Sequence, residues 1–397
     1  MGLKERFPTD YPLYAISTLD DHHIVLAGGG GSARTGVPNA LEIYNLTKGS
    51  GNAIQAEPVC RYDTDPEAVM NIALHPKERV IACGMSEKCQ LLSIRQDTRI
   101  NESNETVRRR GDGNDRVFSQ VSKKLLLEPG LTVRTDFNED GPRQKIVLFT
   151  RYGLRMITGG MDGHIRIWKY PDLQLQLDIA AHSGDIDEMD VNETGTRIVS
   201  VSRDNHVYVW NSTNGERVSE LTISFSKAKG KYIARSCRFG TAVGATESLY
   251  TVHNPLSSSS KGACYLVKWN ADDYHPLKYR AIGAERATKM VISNDGHFLG
   301  LGTSEGSVLI CTTFNLKTII RVPNAHASVI TGLTFSKCTS EARELVDSDI
   351  ALISISIDKN FCITTLPKRR EISIVFLILV VIIAIYIAFS YMAYLGI

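Results

Sequence analysis

The sequence predicts an all-β chain folded as a seven-bladed propeller and followed by one C-terminal transmembrane helix. Three observations carry that expectation. Seven short β-rich runs of similar character recur at 41–46, 89–94, 164–170, 206–210, 264–269, 307–312 and 360–366. Each follows another strand-like run and usually a tight polar turn such as Met161-Asp162-Gly163 or Arg203-Asp204-Asn205. Intervals of roughly 40 to 75 residues, with two recognisable strands per unit, are the spacing of propeller blades. Residues 1–366 contain no convincing amphipathic helix, whose apolar positions would recur every three to four residues. Finally, 372–394 is a run of 23 residues without a charge.

The chain opens without a signal peptide, because residues 1–12 are charged and lack an apolar core. The first blade holds Gly28-Gly29-Gly30-Gly31-Ser32-Ala33-Arg34-Thr35-Gly36-Val37-Pro38-Asn39, between a strand at 24–27 and another at 41–44. A hairpin needs only about two to five linking residues. Four glycines have no side chains to pack and cost much entropy to order, while Pro38 stiffens the exit. The stretch is therefore the leading candidate for the functional site.

Phosphate chemistry does not suit it. Gly31 and Gly36 have P-loop spacing, but Val37-Pro38 stand where Lys-Ser/Thr should be. Gly28, Gly30 and Ala33 echo a dinucleotide fingerprint, yet the helix that would hold the pyrophosphate is missing. Unhindered glycine carbonyls can instead converge on a cation, which would stiffen the loop into a probe for a partner. The alternative is a long, mobile surface loop.

Composition bounds the rest. The chain has 397 residues, 43% apolar and 22% charged, with a net charge of +2. The near-neutral balance argues against general nucleic-acid binding. The eight cysteines form no C-x-x-C pair, and several sit in apolar runs, as reduced cysteines do in a reducing compartment.

The third blade is expected to start late, after a charged insertion at 95–117 that includes Arg108-Arg109-Arg110 and reads as mobile. The serine-rich stretch 256–262 reads as a loop tip. In the fourth unit, His182, Ser200 or Ser202, Asp204 and Trp210 form a candidate buried hydrogen-bonded group. A hydrolase triad is the competing reading, but no G-x-S-x-G elbow accompanies these residues. The last blade runs out after Leu366, so residues near 4–7 are expected to supply its outer strand and close the ring.

At ~1.5 Å per residue, the run 372–394 is long enough as a helix to cross the hydrocarbon core. Lys368-Arg369-Arg370 precede it, which places the propeller in the cytosol by the positive-inside rule. The sequons at Asn45, Asn101, Asn104, Asn192 and Asn211 would then go unused. The expected organisation is a propeller at 1–366, a linker at 367–371, a helix at 372–394 and a tail at 395–397. The linker spans at most about 17 Å, so the propeller should ride close to the bilayer.

The runs at 165–169 and 207–211 resemble the closing strands of WD repeats, although the Trp-Asp dipeptide itself is absent. Gly28 to Gly31 followed by Thr35-Gly36-Val37-Pro38-Asn39, in the first blade of a propeller with a single C-terminal anchor, resembles the endoplasmic-reticulum exchange factors for the Sar-type small GTPase. Their animal members are the prolactin regulatory element-binding proteins. The resemblance covers the whole chain, and the loop is its specific part. It implies a guanine-nucleotide exchange factor that does no covalent chemistry, releases GDP from the GTPase at the endoplasmic-reticulum membrane and starts COPII assembly. It also implies a potassium ion held by the loop, here the backbone carbonyls of Gly29, Gly30, Gly31 and Ser32. Asn39 matches the family's functional asparagine, with Val37 beside it, and Thr35, Gly36 and Pro38 would meet the GTPase. Asn39 closing its own turn is the alternative. A membrane-anchored scaffold without exchange activity is the competing function. Only Leu395-Gly396-Ile397 lie beyond the span, which leaves little room for a lumenal role.

Overall fold

The computed structural model describes residues 3–33, 36–101, 120–225, 230–256, 262–366 and 374–395. It divides the chain into two compact units, Met1–Leu366 and Pro367–Ile397. The first contains seven four-stranded antiparallel sheets, each a blade built from strands consecutive in the chain, except for the last.

The seven runs singled out by sequence are all third strands counted from the axis. In the first blade the order is Leu13–Thr18, His23–Gly28, Ala40–Lys48 and Ile54–Asp63. Second strands are buried on both faces, as in His23–Gly28 and Arg197–Ser202, because a neighbouring blade covers each side. Near the start of every innermost strand the register with the second strand shifts, for example between Leu13 and Ala15 and between Ile186 and Glu188. Such bulges increase local twist and open the blade away from the axis.

The apolar core is divided into seven clusters, each shared by two neighbouring blades. One joins Leu13, Ile24 and Leu26 of the first blade to Ile353, Ile355 and Phe361 of the last. The ring closes as expected: Leu3–Pro8 pairs antiparallel with Asn360–Thr365 as the outer strand of the last blade. Phe7 stacks on Phe361 at 4.8 Å, and the Arg6 guanidinium donates to the Ala325 carbonyl at 2.6 Å. Both ends of the propeller chain therefore share one sheet, which removes an exposed edge.

Two features differ from the sequence reading. Residues 95–101, assigned to a mobile insertion, continue the strand Lys88–Asn101, which pairs with Gln120–Arg134 through Asn101↔Gln120. Their polar composition hid this, because an outer hairpin draws its order from ladder hydrogen bonds rather than burial. The rest of that insertion, 102–117, and most of the tip at 256–262 lie outside the described residues. A short helix, α1 (Ser340–Val346), joins the first two strands of the last blade. Thr339 caps it by accepting from the Ala342 amide, and Ala342, Leu345 and Val346 are buried, the latter two in the first–last blade cluster.

The second unit contains α2 (Ile374–Leu395), a 22-residue helix with no charged residue in its sequence. Among the described residues no helix is long and apolar enough to cross a membrane.

Candidate functional site

The glycine stretch connects the second and third strands of the first blade. Gly28 ends the second strand directly over Pro12, where a Cβ would fall 2.0 Å from the Pro12 carbonyl oxygen. The Gly29 amide donates to that oxygen at 3.0 Å. At Gly29 φ is +144°, and a Cβ there would sit 2.2 Å from Asn39 Oδ1. These two glycines are thus required by close approach of chain to chain. Gly31 (φ +72°) and Gly36 (φ +77°) have open space where a Cβ would stand, so there the backbone angle is what calls for glycine. A 3₁₀ turn, Gly31–Ala33, lies between them.

Asn39 holds the two arms of the loop together. Its Oδ1 accepts from the Gly31 amide at 2.8 Å, and its Nδ2 donates to the Gly31 carbonyl at 3.2 Å and to Asp65 Oδ1 at 2.7 Å. The Asn39 main-chain amide also reaches Asp65 Oδ1, at 3.3 Å, and its carbonyl accepts from Thr64. Only 2% of Asn39 is exposed. The sequence reading turned this amide towards a partner; the structure turns it inward, because its donor and acceptor match the backbone pair of Gly31. Val37 is likewise half-buried and packs on the cluster between the first and last blades. Ser32, Ala33 and Gly36 are exposed, Pro38 is half-buried and Thr35 lies outside the described residues.

Sequence reasoning missed Asp65 and Pro12, which brace the loop from the neighbouring inter-blade connections. Local sequence carried no sign of them; only ring closure and blade order bring them to the loop's base.

Gly30, Gly31 and Ser32 border a cavity of about 740 Å³ at this end of the axial channel. Its wall is ionic. Glu188, 3% exposed, lies between Arg238 (3.1 Å) and Lys289 (3.0 Å). Burial works against its charge, but the two cations outweigh burial and hold the carboxyl below its usual range. Asp187 meets Arg235 at 2.6 Å, Arg203 at 3.2 Å and Lys145 at 3.6 Å. These carboxylates are held by the surrounding cations, which outnumber the carboxylates in the wall, so this end of the channel presents fixed side chains.

The His182 group is structural. His182 Nδ1 lies 3.0 Å from Asp204 and Nε2 lies 2.7 Å from Ser200 Oγ, which also accepts from the Trp210 indole at 2.9 Å. Ser202 instead donates to the Gly184 carbonyl. The last blade repeats the arrangement without the tryptophan, through His326, Ser354 and Asp358. Sequence inspection overlooked that second copy, because its histidine lies 28 residues before the serine instead of 18, and only the four-residue step from serine to aspartate is the same.

Among the described residues no group of three or more His, Cys, Asp or Glu could hold a metal ion. The loop offers a different donor set, neutral backbone carbonyls and the Ser32 hydroxyl. That chemistry fits a weakly hydrated monovalent cation, with the Gly31 carbonyl already accepting one bond from Asn39.

Comparison with known proteins adds a family context. Residues 136–169 and 173–211 match the WD domain, G-beta repeat. The chain is 30% identical to the guanine nucleotide-exchange factor SEC12 of Rattus norvegicus, over 94% of this chain and 93% of that one. The Mus musculus protein matches to the same extent. SEC12-like protein 2 of Arabidopsis thaliana is 27% identical over 85% of this chain. Among solved structures, Chaetomium thermophilum Raptor superposes with a TM-score of 0.64 at 12% identity, over 93% of this chain but 29% of that one, a likeness of fold alone.

Proposed function

Because the chain belongs to the SEC12 family of guanine nucleotide-exchange factors, we propose that it releases GDP from a Sar-type small GTPase at the endoplasmic-reticulum membrane and so starts COPII coat assembly. The observation that carries this reading is the braced glycine loop, an exposed tip on two fixed arms at the rim of a propeller face.

Exchange needs no bond-making residue. The factor must bind the nucleotide-free GTPase more tightly than the GDP form, and by linkage GDP then binds the complex more weakly. A tip that is ordered before docking does not have to be ordered at the moment of binding. In this scheme Gly36, Ser32 and Thr35 contact the GTPase, whereas Asn39, Val37, Pro38 and Gly29 are positioning residues that keep the tip in one shape. The carbonyls of Gly29, Gly30, Gly31 and Ser32 would hold a potassium ion. When bound, it would add a fixed positive charge and tie those carbonyls together.

The helix α2, with Lys368-Arg369-Arg370 before it, is the single-pass anchor in this proposal, and the propeller lies on the cytosolic side. Its sequence supports this: 372–394 has no charged residue.

The test is release of a fluorescent GDP from Sar-type GTPase by the full-length protein in liposomes. Acceleration over the GTPase alone is expected. Unchanged release with stable association would leave a scaffold. Resistance to alkaline extraction checks the anchor separately.

A further inference from the structure

The propeller has two faces, and the chain leaves by one of them. In every blade the link between second and third strands, and the passage to the next blade, lie on the face that carries the glycine loop. Links between first and second strands and between third and fourth strands lie on the other. Asn360–Thr365 is a third strand and runs away from the glycine-loop face, so Leu366 stands on the opposite one. Leu366 belongs to the apolar cluster that the last blade shares with Val308, Ile310 and Ile320 of the sixth. The sequence then continues into Lys368-Arg369-Arg370 and the uncharged stretch.

The same face of the sixth blade carries Phe314, in the link between its third and fourth strands, and this ring is 84% exposed. Its neighbour Leu316 is buried, in the cluster that contains Tyr250 of the fifth blade. On the fifth blade Lys268 and Lys278 are cross-strand partners. Lys268 Nζ lies 5.8 Å from the Tyr250 ring centroid, and the Tyr250 side chain also interacts with Thr313, next to Phe314. Lys317 is exposed at the end of the Phe314 loop. Like charges directly opposite on a strand pair repel. Burial, and then Lys278, accordingly draw the Lys268 amine below its usual range. Among the described residues none of Lys268, Lys278 and Lys317 has a carboxylate partner. Of the carboxylates on adjoining links, Asp273 pairs with His275 and Asp295 accepts from Ser293, while Asp272 lies exposed beside Asp273.

We infer that this corner, Phe314 with Lys268, Lys278 and Lys317, rests on an anionic phospholipid surface. An exposed ring beside unneutralised ammonium groups suits the headgroup layer, where the aromatic body leaves water and the lysines meet lipid phosphates. The corner adjoins the blade from which the chain departs. Contact there would fix how the propeller leans. This inference rests on α2 being the anchor.

The test uses the full chain in phosphatidylcholine vesicles with and without phosphatidylserine. A photoreactive p-benzoylphenylalanine replaces Phe314 or, as a control on the opposite face of the same blade, Glu305. Lipid adducts are expected at 314, more with phosphatidylserine, and none above background at 305. Lys278→Ala with Lys317→Ala should lower the adduct at 314 at least about fivefold, the factor that even one lysine near such a surface contributes. Alkali-resistant protein with no more lipid adduct at 314 than at 305 overturns the inference alone. Adducts at 314 to a second protein chain overturn it too, in favour of a protein interface. Extraction of the unmodified chain by alkali overturns the anchor reading and this inference with it.

Discussion

Replacing Asn39 is the most direct probe of how the loop works, and the hydrogen bonds set the expected sizes. Asn39→Ala removes the bonds to the Gly31 amide (2.8 Å), the Gly31 carbonyl (3.2 Å) and Asp65 (2.7 Å). Each is worth about 0.5–1.5 kcal/mol net, and Gly31 and Asp65 both reach water, so the loss is about 2 kcal/mol. In a propeller of this size that lowers the melting temperature by no more than about 4–8 °C. Nucleotide release should fall about tenfold, equivalent to ~1.4 kcal/mol, because a loosened tip must be ordered again on docking. Asn39→Asp should be worse than Asn39→Ala despite its shape. It keeps the acceptor for the Gly31 amide but sets a second carboxylate against Asp65, a repulsion of up to about 4 kcal/mol near a protein surface. Adding Asp65→Asn to that variant restores a donor–acceptor pair with the roles exchanged and should recover much of the rate. The assay is fluorescent GDP release with thermal melts, arranged as a double-mutant cycle. If Asn39→Asp releases GDP as fast as the wild type, or if the paired variant is no better than Asn39→Asp alone, the bracing role is wrong.

Gly29→Ala should cost more melting temperature and more exchange than Gly31→Ala, since its Cβ would strike Asn39 Oδ1 at 2.2 Å whereas Gly31 faces open space. Gly31→Ala should cost only the ~1–2 kcal/mol of a left-handed backbone, and equal melting curves would refute the distinction. His253, buried beside Thr251, has its pKa pushed down to about 4 by burial. The unfolded chain therefore binds the extra proton first, and His253 costs stability progressively as pH falls from about 6.5 to 4. His253→Gln should lose melting temperature at neutral pH, with the deficit shrinking as pH falls through that window; a constant deficit would show that His253 does not titrate so. If the loop holds potassium, exchange should be faster in potassium than in lithium at equal ionic strength, and equal rates would remove the ion from the proposal.

By itself, the sequence determined the blade count, the strand at each of the seven repeats and the closure of the ring by residues near 4–7. Strand periodicity and turn residues are local signals, and a ring of like units repeats them often enough to read. The tertiary structure decided what the loop residues touch. Asn39 reads as a polar group on a stiff base, but only the positions of Gly31 and Asp65 turn its amide inward. Gly28 and Gly29 read as flexible, yet Pro12 and Asn39 leave no room for a side chain there. The second histidine group, His326 with Ser354 and Asp358, and the strand order of 95–101 became visible only once partners distant in sequence were adjacent. Which face a residue occupies is likewise a property of the closed ring: Phe314 and Leu316 are two residues apart, one 84% exposed and one fully buried. Hydrogen-bond partners and close approaches between blades depend on distances that no local pattern records.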